Sequence, residues 1–535
     1  MTKKTTPGHR WQAVLLAIFI GLLCRTAAAA TFRWANDGDP NSMDPYARQE
    51  TFLLSFDMNM YEPLVRRDDK LALEPGLATG WKAIDPTTWR FTLRQGVRFH
   101  DGTPFTSDDV VFSWGRAVGP GSNIGGALST VKEVRKIDDY TVDFITNGPN
   151  PILPDYLTTL AMMSKTWCTQ HNATHAADLT KEEENYAARN ENGTGPFILR
   201  RREPDVETVL AKNPDWWDAG EHPVGIDEAV FTRIQNAVTR VSALLSSELD
   251  MIYTVPPQDI ERIAATPGMK IWRTAELRTL FLGMDQERPE LLESNIKGKN
   301  PFKDRRVRQA VYQAIDEEAI AKKVMRGYAH PTGLLIGPKV NGYDPALDTR
   351  YPYDPAAARN LLAEAGYPEG FELGMDCPNN RYVNDEAICE AVVAMLARVG
   401  IKVDLRAQTR AKFFAKINGP RYETSFYLLG WTPATYDGLD VLDALAATRR
   451  AGSRDGFYNF GSYSNPQVDK LIRDIQGESD AGKRRELIGD ALRLVRDDVA
   501  YIPLHQQVVV WASRDAVDLA QGGDNYFQLR YVRLK

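Results

Sequence analysis

His100, Asp101, Ser107, Asp108 and Asp109 fall within ten positions of one another in the stretch RFHDGTPFTSDDVVFSW, residues 98–114. A histidine, a serine and carboxylates are the parts of an acyl-transfer triad. That chemistry needs His100 and Ser107 to meet, and the local pattern gives both other work. Ahead of them, TWRFTLRQGVRF alternates, with Trp89, Phe91 and Leu93 on one face and Arg90, Thr92 and Arg94 on the other. A Gln-Gly turn and then Val97 and Phe99 follow, which predicts two half-buried strands. His100-Asp101-Gly102 is turn chemistry, with Gly102 free to take a positive φ. Thr106 is a helix N-cap, and Ser107, Asp108 and Asp109 fill the first turn, where the helix dipole favours acidic groups. Each polar residue of the stretch thus has a structural role, and no catalysis is expected from it.

Other chemical signatures are weaker. CTQHNATH spaces Cys168, His171 and His175 so that a helix could bring them together, but a zinc site would need a fourth partner, and no H-E-x-x-H is present. There is no phosphate-binding G-x-x-x-x-G-K-[ST] loop and no G-x-S-x-G elbow. GSNIGG at 121–126 lacks the strand-to-helix setting of a dinucleotide fingerprint and reads as a loop. What recurs is aromatic and turn chemistry: GWTPATYDGLD, DWWDAGEHP and GFYNFGSYSNPQVD. Trp and Tyr offer rigid, amphipathic contact surface, and loops at sheet edges are where open α/β folds bind ligands.

The elements that would position such loops alternate between strand and helix. YDPAAARNLLAEAGYPEGFELGMDC reads as a helix capped by Asp354, opened by Pro355 and stopped at Gly366, followed by the strand FELGMDC. A helix beginning at Asn384 or Asp385 carries Ile388, Val392, Met395, Leu396 and Val399 on one face and ends at Gly400; IKVDLRA then alternates as a strand. Units of this kind build a mixed sheet covered by helices. VKEVRKIDDYTVDFI reads as a strand pair about Asp138–Asp139, and the polar run DLTKEEENYAARNENGTG is the best internal boundary before position 200.

The first thirty residues have the form of a cleaved secretory signal peptide. Lys3, Lys4 and Arg10 are the basic end, Trp11 to Cys24 the apolar stretch, and RTAAAA the small-residue cleavage site near Ala30. Their loss removes four basic side chains and no acidic one, taking the formal charge from −6 to −10. An acidic balance spread along the chain argues against nucleic acid as a partner. The remaining 505 or so residues exceed what one core supports, so two or three structural units are expected. In an oxidising compartment Cys377 and Cys389, close in sequence, are the candidate disulfide, with Cys168 left over; three buried thiols are the alternative.

Taken in order, NSMDPY, YEPLVRRD, FHDGTPFTSDDVVFSW, GTGPFIL, KNPDWWD, DRRVRQAVYQAID, YDPAAARNLLAEAGYPEGFEL and YSNPQVDKLI resemble the family 5 extracellular solute-binding proteins of ABC importers, the group of dipeptide- and oligopeptide-binding proteins. The resemblance implies an α/β, two-lobed periplasmic-binding-protein fold (type II, cluster C) with mixed sheets, a hinge and an extra subdomain in the first lobe. On that pattern the first lobe is 31–276 plus 500–535, with the subdomain at 76–190, and the second lobe is 277–499. AELRTLFLGMD and AYIPLHQQVVVWA would cross the hinge. It implies a periplasmic monomer without cofactor or metal that delivers a peptide or related polar solute (an opine, sugar-like or metal-chelate solute is the alternative) to a membrane permease and its ATPase, and that is not an enzyme. By position against the family's motifs, Asp437 would hold a ligand ammonium, Arg381 a carboxylate, and Trp431 and Tyr436 would be walls. Gln49 and Thr51 would add contacts from the first lobe. The chain departs from the pattern in setting Asp437 six positions beyond Trp431 and following it with Gly438.

Overall fold

The computed structural model describes residues 1–2, 29–181, 183–418, 422–450 and 455–535; the expected signal peptide lies outside the described residues. Among them, the largest sheet has eleven strands. Its centre is a pair of long antiparallel strands, Met269–Met284 and Tyr501–Arg514. On one side the order runs through Phe426–Trp431 and Phe371–Pro378 to Ile401–Gln408, with parallel pairing among the last three. On the other it runs through Met251–Ile252, Thr31–Asn36 and Glu228–Arg233 to the Glu207–Lys212 and Phe197–Glu203 hairpin.

The two long strands change company part-way. Met269–Ala275 pairs with Val508–Arg514; the register then slips, and Thr279–Gly283 pairs with Tyr501–Gln506. Each strand feeds two cores. Val509 and Trp511 pack with Phe32, Trp34 and Phe231, whereas Ile502 and Leu504 pack with Leu280, Leu282 and Phe426. The residues between 275 and 279 and between 506 and 508 are therefore where the two lobes join, and the boundary expected at residue 500 falls short of the crossing. A register slip suits such a place because it breaks the ladder locally and lets the strands bend.

The expected strand–helix pattern of the second lobe forms as read. Asp354 accepts from the Ala356 and Ala357 N–H groups at 3.0 and 2.9 Å and caps Pro355–Glu364. Asp385–Ala397 packs between Phe371–Pro378 and Ile401–Gln408. In the first lobe, Ala78–Asp85, Thr88–Leu93, Thr141–Thr146 and Val131–Asp138 form a separate four-stranded sheet in that order. Its Phe91 and Phe144 belong to the same apolar core as Phe32, so this sheet is an outgrowth of the lobe rather than a body with its own interior.

The strand expected at Val97 and Phe99 does not form; a lone bridge joins Arg98 to Pro104, because the chain must turn at Gly102, φ +85°, to start the next helix. Thr106 and Asp109 form a capping box on Ser107–Val118. His100 is buried between the Glu191 carboxylate, 2.8 Å, and the Gly195 carbonyl, 3.0 Å, while the Ser107 hydroxyl donates to the Asp138 carbonyl at 2.6 Å. His100 and Ser107 do not meet. Cys168 is buried, and His171 stacks on Tyr186 with centroids 4.0 Å apart. Among the described residues no helix is long and apolar enough to cross a membrane.

Candidate ligand-binding site

A cavity of about 640 Å³ lies between the lobes. One wall is built by the end of Phe426–Trp431 and the loop after it. The Trp431 ring packs on Tyr458, centroids 4.7 Å apart, and its indole N–H donates to Asp440 Oδ1 at 2.7 Å. Asp440 Oδ2 accepts from the Ala434 N–H at 3.1 Å. Burial pushes the Asp440 carboxyl up to about 6, against the lowering effect of the Trp431 hydrogen bond. The partners of Asp440 are neutral donors, so a cation brought into the cavity would find a carboxylate with no ion pair to break.

A second wall is cationic. Arg278, Arg381 and Arg410 all line the cavity. Arg278 pairs with Glu276 at 2.8 Å, and Arg410 pairs with Glu50. Burial lowers the Arg278 guanidinium; Glu276 offsets part of this, and the neighbouring positive charge of Arg381 adds to the lowering. Arg381 has no ion pair among the described residues, and its guanidinium carbon sits 5.2 Å from the Tyr382 ring centroid. Beside it, the Tyr382 hydroxyl accepts from the Gly430 N–H at 2.9 Å. One charge is therefore left over at this wall, and it is positive.

Polar bridges span the cleft. Arg410 of the second lobe meets Glu50 of the first. Arg67 donates to the Thr435 carbonyl at 3.1 Å and lies 3.9 Å from the Tyr436 ring centroid. The Tyr436 hydroxyl donates to Asp524 Oδ2 at 2.8 Å. Tyr436 has φ +57°, a left-handed conformation that a bulky residue adopts only when its surroundings enforce it. Asn341 contributes, its N–H donating to the Tyr436 carbonyl at 2.8 Å.

Trp431, Tyr436, Arg381, Gln49 and Thr51 all line the cavity, as the sequence leads one to expect of a site. Asp437 does not. It is buried, caps Gly438–Val441 by accepting from the Leu439 N–H at 2.9 Å, accepts from Asn341 Nδ2 at 2.8 Å, and pairs bidentately with the buried Arg484. A carboxylate so occupied is not offered to a ligand, and the ammonium role expected of it is displaced three residues on. Sequence reading missed Asp440 although the signal was present: an Asp before Gly438 that caps a helix puts the next acid, Asp440, in the first turn on the cavity side. It missed Arg278 because AELRTLFLGMD was taken as an apolar crossing run, when Glu276 and Arg278 sit inside it as a buried ion pair.

The family model for bacterial extracellular solute-binding proteins, family 5 (middle), matches residues 72–453. The chain belongs to this family. Among relatives of this solute-binding protein, di/tripeptide-binding protein 1 of Pseudomonas aeruginosa is 26% identical over 521 residues, covering 92% of this chain and 91% of the relative. Heme-binding protein A of Haemophilus influenzae is 26% identical over 461 residues, covering 82% and 79%. The periplasmic binding protein DppA of Helicobacter pylori, solved in complex with the peptide STSA, superposes with a TM-score of 0.78 at 23% identity, over 94% of this chain and 98% of that one. The two-lobed architecture of this solute-binding protein is that of its family, whose members are binding proteins rather than enzymes.

Proposed function

We propose that the protein is the periplasmic receptor of an ABC importer, capturing short peptides or related zwitterionic solutes between its lobes and delivering them to a membrane permease and its ATPase. The observation that carries this reading is the charge pattern of the enclosed cavity: Arg381 without an ion pair on one wall and Asp440, held by neutral donors, on another. A free peptide has one carboxylate and one ammonium, and burial of each demands a fixed counter-charge. Trp431, Tyr458 and Tyr436 supply flat surface between them, and Gln49 and Thr51 add polar contacts from the first lobe. Closing on such a ligand gives the permease a state distinct from the empty one.

The relatives support the same reading, one being a di/tripeptide-binding protein and one a peptide complex. The amino-terminal segment, with its basic end and apolar stretch, supports export. The test is calorimetric titration of the purified protein with a panel of di- and tripeptides, alongside mass spectrometry of small molecules that co-purify with it. Saturable binding of free peptides is expected. Binding of a non-zwitterionic solute, with no peptide bound, would overturn the reading.

A further inference from the structure

The disulfide between Cys377 and Cys389 encloses the segment that brings Arg381 and Tyr382 to the cavity. Cys377 is the penultimate residue of Phe371–Pro378, and Cys389 lies in the second turn of Asp385–Ala397; both are fully buried. Between strand and helix runs Asn379-Asn380-Arg381-Tyr382-Val383-Asn384, a polar connection in which only Tyr382 is buried. Such a loop has little apolar surface to hold it, and its long cationic side chain is costly to order.

What holds the loop is a short set of polar contacts, all dependent on where the helix begins. Asp385 Oδ2 accepts from the Arg381 N–H at 2.8 Å and the Tyr382 N–H at 3.0 Å. Asn384, φ +56°, turns the chain into the helix and donates to the Val324 carbonyl at 2.9 Å. Asn380 Oδ1 accepts from the Arg410 N–H at 2.6 Å. The carboxylate that fixes the Arg381 backbone is therefore carried by the first residue of the helix, and the disulfide ties that helix to the strand from which the loop departs.

We propose that the Cys377–Cys389 disulfide is a positioning device for ligand recognition: it fixes the Asp385-held loop so that Arg381 faces a ligand carboxylate, and its removal costs carboxylate recognition more than it costs the fold. Cys377, Cys389 and Asp385 are then positioning residues acting through Arg381. The claim rests on the peptide reading only for the identity of the group Arg381 meets.

The test compares the wild type with Cys377→Ala/Cys389→Ala, and with wild-type protein reduced by a phosphine under native conditions should that variant not fold. The first measurement is amide hydrogen exchange at Arg381 and Tyr382, which needs no ligand. Faster exchange there, with the Phe371–Pro378 strand still protected, is expected. The second titrates di- and tripeptides and their C-terminal amides into the wild type, the disulfide-free protein, Arg381→Ala and the combination. Free peptides should lose about tenfold or more in affinity on loss of the disulfide, the scale of one charge-assisted hydrogen bond. Amides should lose little, and the Arg381→Ala background should show no further loss. Unchanged exchange in the loop, or equal losses for acid and amide, would overturn the proposal. If no peptide binds the wild type, the peptide reading falls and hydrogen exchange alone decides the staple.

Discussion

The stretches RFHDGTPFTSDDVVFSW and GWTPATYDGLDVLD look alike as chemistry: both set carboxylates and hydroxyls close to an aromatic residue. In the first, His100, Ser107 and Asp109 are used by Glu191, the Asp138 carbonyl and the Thr106 cap. In the second the carboxylates divide. Asp437 is used by Arg484 and a helix N-terminus, while Asp440, one helical turn away, opens on the cavity. Polar residue types therefore mark two different things, chain geometry and ligand chemistry. What separates them is whether a group's partners inside the protein already satisfy its charge.

The sharpest break of this comparison is Asp437→Ala, which leaves the Arg484 guanidinium buried without its carboxylate. It should cost about 3–5 kcal/mol of stability, read by denaturant unfolding. If Asp437 instead served the ligand, binding would be lost with stability kept. Arg381→Ala should show the opposite signature, weakening a free peptide by about 2–5 kcal/mol in calorimetry with the melting temperature held.

Asp440→Asn should weaken the same peptide by about 2 kcal/mol, the lower end for an enclosed charge pair, and should leave the peptide's N-acetyl form unaffected. The pH dependence follows from the sign of the shift. The empty protein titrates Asp440 at about 6 because burial disfavours the carboxylate. A bound ammonium favours the carboxylate, so affinity is fully present above about 6 and falls as pH drops through that value. Titrations between pH 5 and 8 check this, and the dependence should vanish in Asp440→Asn. The smallest effect belongs to the hallmark stretch: Thr106→Ala should lower stability by about 1 kcal/mol through its capping box and leave peptide affinity unchanged.

Much of the architecture was legible. The caps at Thr106 and Asp354, the strand–helix–strand run from Phe371 to Gln408 and the long crossing strands all follow from short-range pattern, because caps and alternation are decided by neighbours in sequence. The site was legible to the extent that loops after sheet edges bear aromatics, which found Trp431 and Tyr436. Arg278 was hidden because a charged pair inside an apolar strand looks like an interruption until its two members are seen to neutralise each other. The Val97–Phe99 strand was expected wrongly because alternation was present and a pairing partner was not.

By itself, the sequence determined the alternation of elements, the caps, the two strands that cross between lobes and the family to which the motifs point. Tertiary structure alone decided which carboxylate is spent within the protein and which is offered, since that depends on Arg484, 47 positions from Asp437 in the chain and 2.8 Å away in space. Local propensity acts over a few residues, whereas the pairing of a buried charge is settled by whatever the fold brings beside it.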